Sequence, residues 1–423
     1  MSGSAAAAAE GFLARYEGLR HRLGGDAGMR AAAAARFAET GLPGLRDEAW
    51  KYTSLRPLAG VVFHEPLTLL APCDHLLALA PPLAGPRLVF CGGRYRADLS
   101  RPPAQAETAS FAAAPGFMSL ARPEAAPLVA LNTMLAEDGA RITVAAGTDG
   151  GTLALLSLAE EVQNHPVAFH PRHQVRLGAG ARLVLLEASV GRGQYLHNTV
   201  FEVALEEGAA LLHVRLQNES PAAFHLSTLY VRLAAGAVYD SFALNVGGRL
   251  ARIETHATMG GAGAAVHLNG AQILGEGQHG DVTTVVHHDA PHGTSRQTVK
   301  TVLDGRARGV FQGRVRVAEG AQKTDGQQMN HALLLSEEAE IDSKPELEIF
   351  ADDVKCSHGA TVGEIDADQL FYLQSRGIPA EAARGLLVRA FLTEALDGIA
   401  APEGRAMLDG AIEQWWQRQA EAA

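Results

Sequence analysis

A mainly β chain, with a parallel β-helix (solenoid) at its centre and helical segments at both ends, is the fold class this sequence predicts. Two observations carry that reading. Gly180-Ala181, Gly208-Ala209, Gly236-Ala237 and Gly263-Ala264 recur at separations of 28, 28 and 27 residues, and β-rich runs such as 182–186, 211–216 and 238–242 follow the pairs. Outside this ladder, apolar residues recur at helical spacing. A strand-rich period in the high twenties marks stacked coils with several short strands each. Glycine suits the corner of a coil, where the backbone turns tightly. A β-sandwich needs no fixed period, and propeller blades are longer, at about 40 residues.

The elements follow in chain order. Residues 1–60 read as a helical domain: Phe12, Leu13, Tyr16, Leu19 and Leu23 lie at helical spacing, and 31–38 is a strong helix former that stops at Gly41-Leu42-Pro43. Trp50 and Tyr52 are suited to pin the following segment to a neighbour. Residues 61–149 form a connecting region, broken by eight prolines between positions 66 and 115. Within it 88–91 reads as a strand ending in a turn at Gly92-Gly93, and 127–136 as a helix. The β-helix spans 150–365, with looser steps of the ladder at Gly151, Gly293 and Gly320. Residues 366–423 return to helices. Asp366-Ala367-Asp368-Gln369 is a capping box, and Gly377 and Pro379 close the first helix. A second helix covers 380–396 and a third 403–419, with Trp416 a candidate anchor for a partner.

Composition narrows the function. A chain of 423 residues can bury a large core, and 47% hydrophobic with 20% charged residues is ordinary for a soluble protein. A net charge of −11 argues against nucleic-acid binding. Three cysteines do not make a disulfide framework, so Cys73 and Cys91 are expected as small core residues of a cytoplasmic protein. The alanine-rich start, interrupted by Glu10 and Arg15, is a poor signal peptide, and no apolar run is long enough to cross a bilayer.

Few motifs carry chemistry. The run 275–280 matches GxGxxG, but a strand pattern follows where dinucleotide binding needs a helix. Neither GxxxxGK[ST] nor HExxH occurs. His287, His288, Asp289 and His292 cluster at a turn and could ligate a metal, although a solvated turn is the plainer reading. His165, His170, His173 and His197 are expected at surfaces or turns. Cys356 and His358 stand out. Two residues apart on an expected strand, they project to the same side. A thiolate beside an imidazole can ligate a metal or act as nucleophile and base, while a buried cysteine beside a surface histidine is the bland alternative. An acidic β-helix could also be a carbohydrate-active lyase or hydrolase.

A longer set of residues resolves the choice by resemblance. Val310-Phe311-Gln312-Gly313, Ala321-Gln322-Lys323-Thr324-Asp325, Pro345-Glu346-Leu347-Glu348-Ile349, Ala351-Asp352-Asp353-Val354-Lys355-Cys356-Ser357-His358-Gly359-Ala360-Thr361 and the run 368–377 resemble the SufB/SufD family of iron–sulfur cluster assembly proteins. Glu48-Ala49-Trp50-Lys51-Tyr52-Thr53 is similar to the family's N-terminal signature. Gly359 follows His358 where the SufB branch carries an acidic residue, so the chain resembles the SufD branch. The resemblance implies a right-handed parallel β-helix and a non-enzymatic scaffold subunit. It implies pairing with SufB through the β-helix and docking of the SufC ATPase on the C-terminal helices; an unpaired edge leaves a homodimer open to the isolated chain. It places Cys356 and His358 as metal ligands at the SufB–SufD interface. Iron or a nascent iron–sulfur cluster would be held there transiently and shared with SufB, with no cofactor bound tightly by this chain alone. No nucleic acid and no membrane are expected among its partners.

Overall fold

The computed structural model describes residues 3–66 and 73–422, with side chains described for 7–66 and 73–418. Met1, Ser2 and Pro72 lie outside the described residues. Two ten-stranded sheets, almost wholly parallel, face each other across a narrow lumen, and the chain alternates between them coil by coil. Successive coils stack in register, so Ala210 pairs with Arg182 on one side and Val238 on the other. The parallel β-helix is therefore present, with helices before and after it. Parallel pairing begins ahead of residue 150: Arg87–Cys91 pairs with Asp149–Glu160, and Ala140–Val144 with Arg172–Leu177.

The glycine ladder has a conformational cause. Gly180, Gly208, Gly236 and Gly263 all take left-handed φ, between 63° and 69°, where a side chain is strained. Each donates its N–H to a corner carbonyl one coil on, at Glu207, Ala235, Ala262 and Pro291, over 2.8–3.0 Å. Gly151 shares the conformation, at 65°. The extension to Gly293 and Gly320 is wrong. His292 (φ 61°) and Lys323 (φ 62°) occupy those corners and donate to Gln322 and Asp353 in the same way. Gly293 is needed for room instead, since a Cβ there would lie 2.8 Å from His288 Nδ1.

Helices cover the outer faces of both sheets. α1 (Gly3–Leu19), α2 (Ala27–Thr40), α3 (Arg56–Ala59) and α4 (Pro127–Leu135) pack Phe12, Tyr16, Phe37 and Leu131 against Leu196, Phe224 and Leu226 of one sheet. α5 (Ala367–Ser375) stands apart, with no buried residue, while α6 (Ala380–Leu396) and α7 (Pro402–Ala422) cover the other sheet. There Leu392, Leu408 and Trp415 meet Val214, Phe242 and Ile273. Strands buried on both faces explain the continuous apolar runs in the sequence. No described helix is long and apolar enough to cross a membrane.

The two ends of the solenoid differ. Antiparallel strands Arg94–Tyr95 and Glu107–Ser110 close the first coils. At the far end, among the described residues, Glu340–Ile349 and Lys355–Gly363 are each the last strand of a sheet, with one neighbour apiece.

The cysteine reading needs correction. Cys73 is buried as expected, but it is joined to Cys91 by a disulfide with Cα atoms 6.3 Å apart. Folding the start of the connecting region onto the strand Arg87–Cys91 brings them together, which their separation of 18 residues did not reveal.

Candidate functional site

Cys356 and His358 both lie on the edge strand Lys355–Gly363, in register with Gly326 and Gln328 of Asp325–Leu334. The strand is the one the sequence predicts. Cys356 is a free thiol, half-buried, packed on the hydrophobic core of the lumen beside Val354. Burial pushes this thiol up from its ordinary value, the nearby Asp325 charge adds to that, and the Gly326 N–H opposes it. His358 is exposed. Among the described residues no third cysteine, histidine or carboxylate converges with them into a ligand group.

Around this pair the molecule is unfinished. The N–H of Lys355 is spent on Thr324 O, so in a parallel ladder the N–H groups of Cys356, His358 and Ala360 point away from the neighbouring strand. Val362 (55% exposed) on this strand, and Ile349 (41%) and Phe350 (58%) at the end of the other edge strand, give the open end apolar side chains as well as free backbone groups. An unpaired edge with an apolar face is a template for another chain. Neither the edge position nor these exposed residues follows from local pattern, because both depend on which coil is last.

The histidines of the 287–292 run do not gather. His287 is half-buried, His288 is buried and 2.9 Å from Ser295 Oγ, and His292 is exposed at its corner. The cluster at 287–292 is split between lumen and surface by strand alternation. His165 is exposed as expected, but His170, His173 and His197 are buried, against the surface or turn reading. They sit on strands or beside them with both faces covered, and burial drives His173 down to about 3. The 275–280 run is a corner leading into the strand His279–His288, as its pattern predicts.

The N-terminal signature acquires a structural role. Trp50 is buried with its ring 4.2 Å from the Arg252 guanidinium, a cation–π contact. Thr53 donates to Asp281, Gln312 donates to Ala49 O, and Lys344 pairs with Glu48. This short segment thus clamps four successive coils.

On the C-terminal side the apolar exposure is not where the sequence placed it. Trp416 is half-buried, lying against Gly385 of α6, where a Cβ would come within 2.8 Å of the indole. Phe371 (72% exposed) and Tyr372 (56%) on α5, and Leu386 (48%) on α6, are the large apolar residues presented outward.

Comparison with known proteins agrees with the geometry. Residues 159–391 match the family model of the SUF system FeS cluster assembly SufBD core domain. The chain is 35% identical over 371 residues to the iron–sulfur cluster assembly protein SufD of Escherichia coli, covering 85% of this chain and 87% of that one. It is 32% identical over 406 residues to a SufBD family protein of Synechocystis, covering 89% and 88%. With the chloroplastic protein ABCI7 of Arabidopsis thaliana it shares 36% over 241 residues, covering 56% and 50%. The corner ladder, the C-terminal motif on an edge strand and these matches place the chain in the SufB/SufD family of iron–sulfur cluster assembly proteins.

Proposed function

We propose that this chain is a non-enzymatic scaffold subunit of the SUF assembly complex, completed at its open end by a SufB partner. The observation that carries the reading is the pair Cys356 and His358 on a strand whose outer edge has no neighbour among the described residues. Strand addition there would extend the sheet by main-chain hydrogen bonds and cover Val362 and Phe350. It would also bring the partner's ligands up to a thiol and an imidazole. Two ligands are a half-site for iron, so iron or a nascent cluster is handled as cargo between the two chains and not kept by this one. The SufC ATPase would dock on the outward-facing Phe371 and Tyr372 of α5, aromatic anchors that no intramolecular core uses. Family membership favours this over cleavage of carbohydrate.

Replacing Cys356 and His358 separately with alanine, and measuring cluster formation in the reconstituted three-protein complex, tests the site. Each variant is expected to assemble with its partners and lose most of the cluster yield. Wild-type yield from both would remove the metal role. Thiol labelling of Cys356 in that complex with and without ATP reports whether nucleotide turnover opens the interface. Light scattering on the isolated chain shows whether the same edge pairs with itself.

A further inference from the structure

Away from the open end, His197, Glu219 and His225 meet inside the molecule, and no part of the cluster-assembly reading uses them. His197 and His225 are register partners on the adjacent parallel strands Tyr195–Leu205 and Phe224–Leu233, one corner period apart in sequence. Their rings stand perpendicular with centroids 4.9 Å apart. Glu219, on the turn between Ala210–Asn218 and Phe224–Leu233, places one carboxylate oxygen 3.1 Å from His197 Nδ1 and the other 2.6 Å from His225 Nδ1. All three side chains are at most 2% exposed, and one ligand atom from each lies within 4.8 Å of the others.

The surroundings hold these atoms in place. Gln217 donates to Glu219 Oε2 over 3.2 Å and accepts from Gly247 N over 2.9 Å, which fixes the carboxylate. Phe169, one coil earlier and in register with His197, lies 4.7 Å from its ring and fixes that imidazole. Such outer contacts orient metal ligands where a metal is bound. Among the described residues the ion pairs of Glu219 are both with histidine. His197 Nε2 is buried with no hydrogen-bond partner. Both imidazoles turn Nδ1 toward the one carboxylate, which gathers three donor groups at one buried place.

We propose that His197, Glu219 and His225 form a buried site for a divalent transition-metal ion. Two imidazole nitrogens and one carboxylate suit borderline ions such as Zn²⁺, Fe²⁺ or Co²⁺ and disfavour Mg²⁺ and Ca²⁺, which take oxygen ligands. The site is separate from Cys356 and contains no sulfur. Pro221, two residues beyond Glu219, is exposed, so the ion enters when that one turn opens or is enclosed as the chain folds.

The test uses the full chain carrying Cys356→Ser, which removes the free thiol, after chelation and titration with Co²⁺. One equivalent per chain is expected, with visible d–d absorption, no sulfur charge-transfer band, displacement by Zn²⁺ and none by Mg²⁺. Glu219→Gln and His197→Phe are each expected to weaken Co²⁺ binding at least tenfold. Absence of an equivalent, or binding undiminished in both variants, overturns the proposal. If either variant fails to fold, X-ray absorption of the Co²⁺-loaded Cys356→Ser protein decides. A nitrogen and oxygen shell with two imidazoles supports the site, and any other shell overturns it.

Discussion

At the scale of single residues, environment decides reactivity. Cys356 is half-buried over the lumen core, and burial holds its thiol above the ordinary value of about 8.5. The protonated form is therefore favoured at neutral pH. Alkylation of the isolated chain should be slow at pH 7 and still rising past pH 9; a plateau below pH 8 would contradict the burial argument. The corner glycines work through conformation. A methyl group on Gly208 would meet open space, but the backbone there has a φ of 65°, so Gly208→Ala should cost about 1–2 kcal/mol in urea unfolding. Lys323→Gly, at a corner already strained at 62°, should be neutral or slightly stabilising.

At the scale of elements, the last strand is the informative one. Lys355–Gly363 keeps its own ladder through N–H groups that face Asp325–Leu334, while the alternate N–H groups face outward. Proline is tolerated on an edge strand when the missing donor faces away from the sheet. Ala360→Pro should thus leave the melting temperature within a few degrees of wild type and abolish co-purification with a SufB partner. Retained pairing would show that the partner uses another surface. The segment Glu48–Trp50, with Lys51, Tyr52 and Thr53, illustrates the opposite case. The sequence suits Trp50 to pin it to a neighbour, and that buried Trp50, with the bonds to Asp281, Gln312 and Lys344, makes it part of the solenoid wall.

At the scale of the whole molecule, the helices after the solenoid divide into structural and presented parts. α6 and α7 share one core with the sheet beneath them, through Leu392, Leu408, Ile412 and Trp415. A chain ending at residue 365 would bare Phe242, Leu244, Ile273 and Val302, and should aggregate by light scattering. A soluble monomer would refute that division. By contrast Phe371, 72% exposed on α5, contributes no core contact; Phe371→Ala should shift stability by less than about 0.5 kcal/mol.

The repeat was legible in residue types alone. Left-handed corners select glycine, and each coil adds one copy of the same hydrogen bond, so the period is written at Gly180, Gly208, Gly236 and Gly263. Strand alternation likewise set Cys356 and His358 on one face. Where strain was tolerated, at His292 and Lys323, the code fell silent and the ladder was misread. Three-dimensional packing alone determined what is inside, what is last and what meets. Burial of His173 depends on the facing sheets that bring Phe90 and Phe201 against it, burial of His197 on the stacked coil that brings Phe169, and burial of His170 on Phe12 of α1. The joining of Cys73 to Cys91 depends on how the connecting region folds back. The convergence of His197, Glu219 and His225 depends on stacking register, which relates residues one coil apart that no local pattern connects.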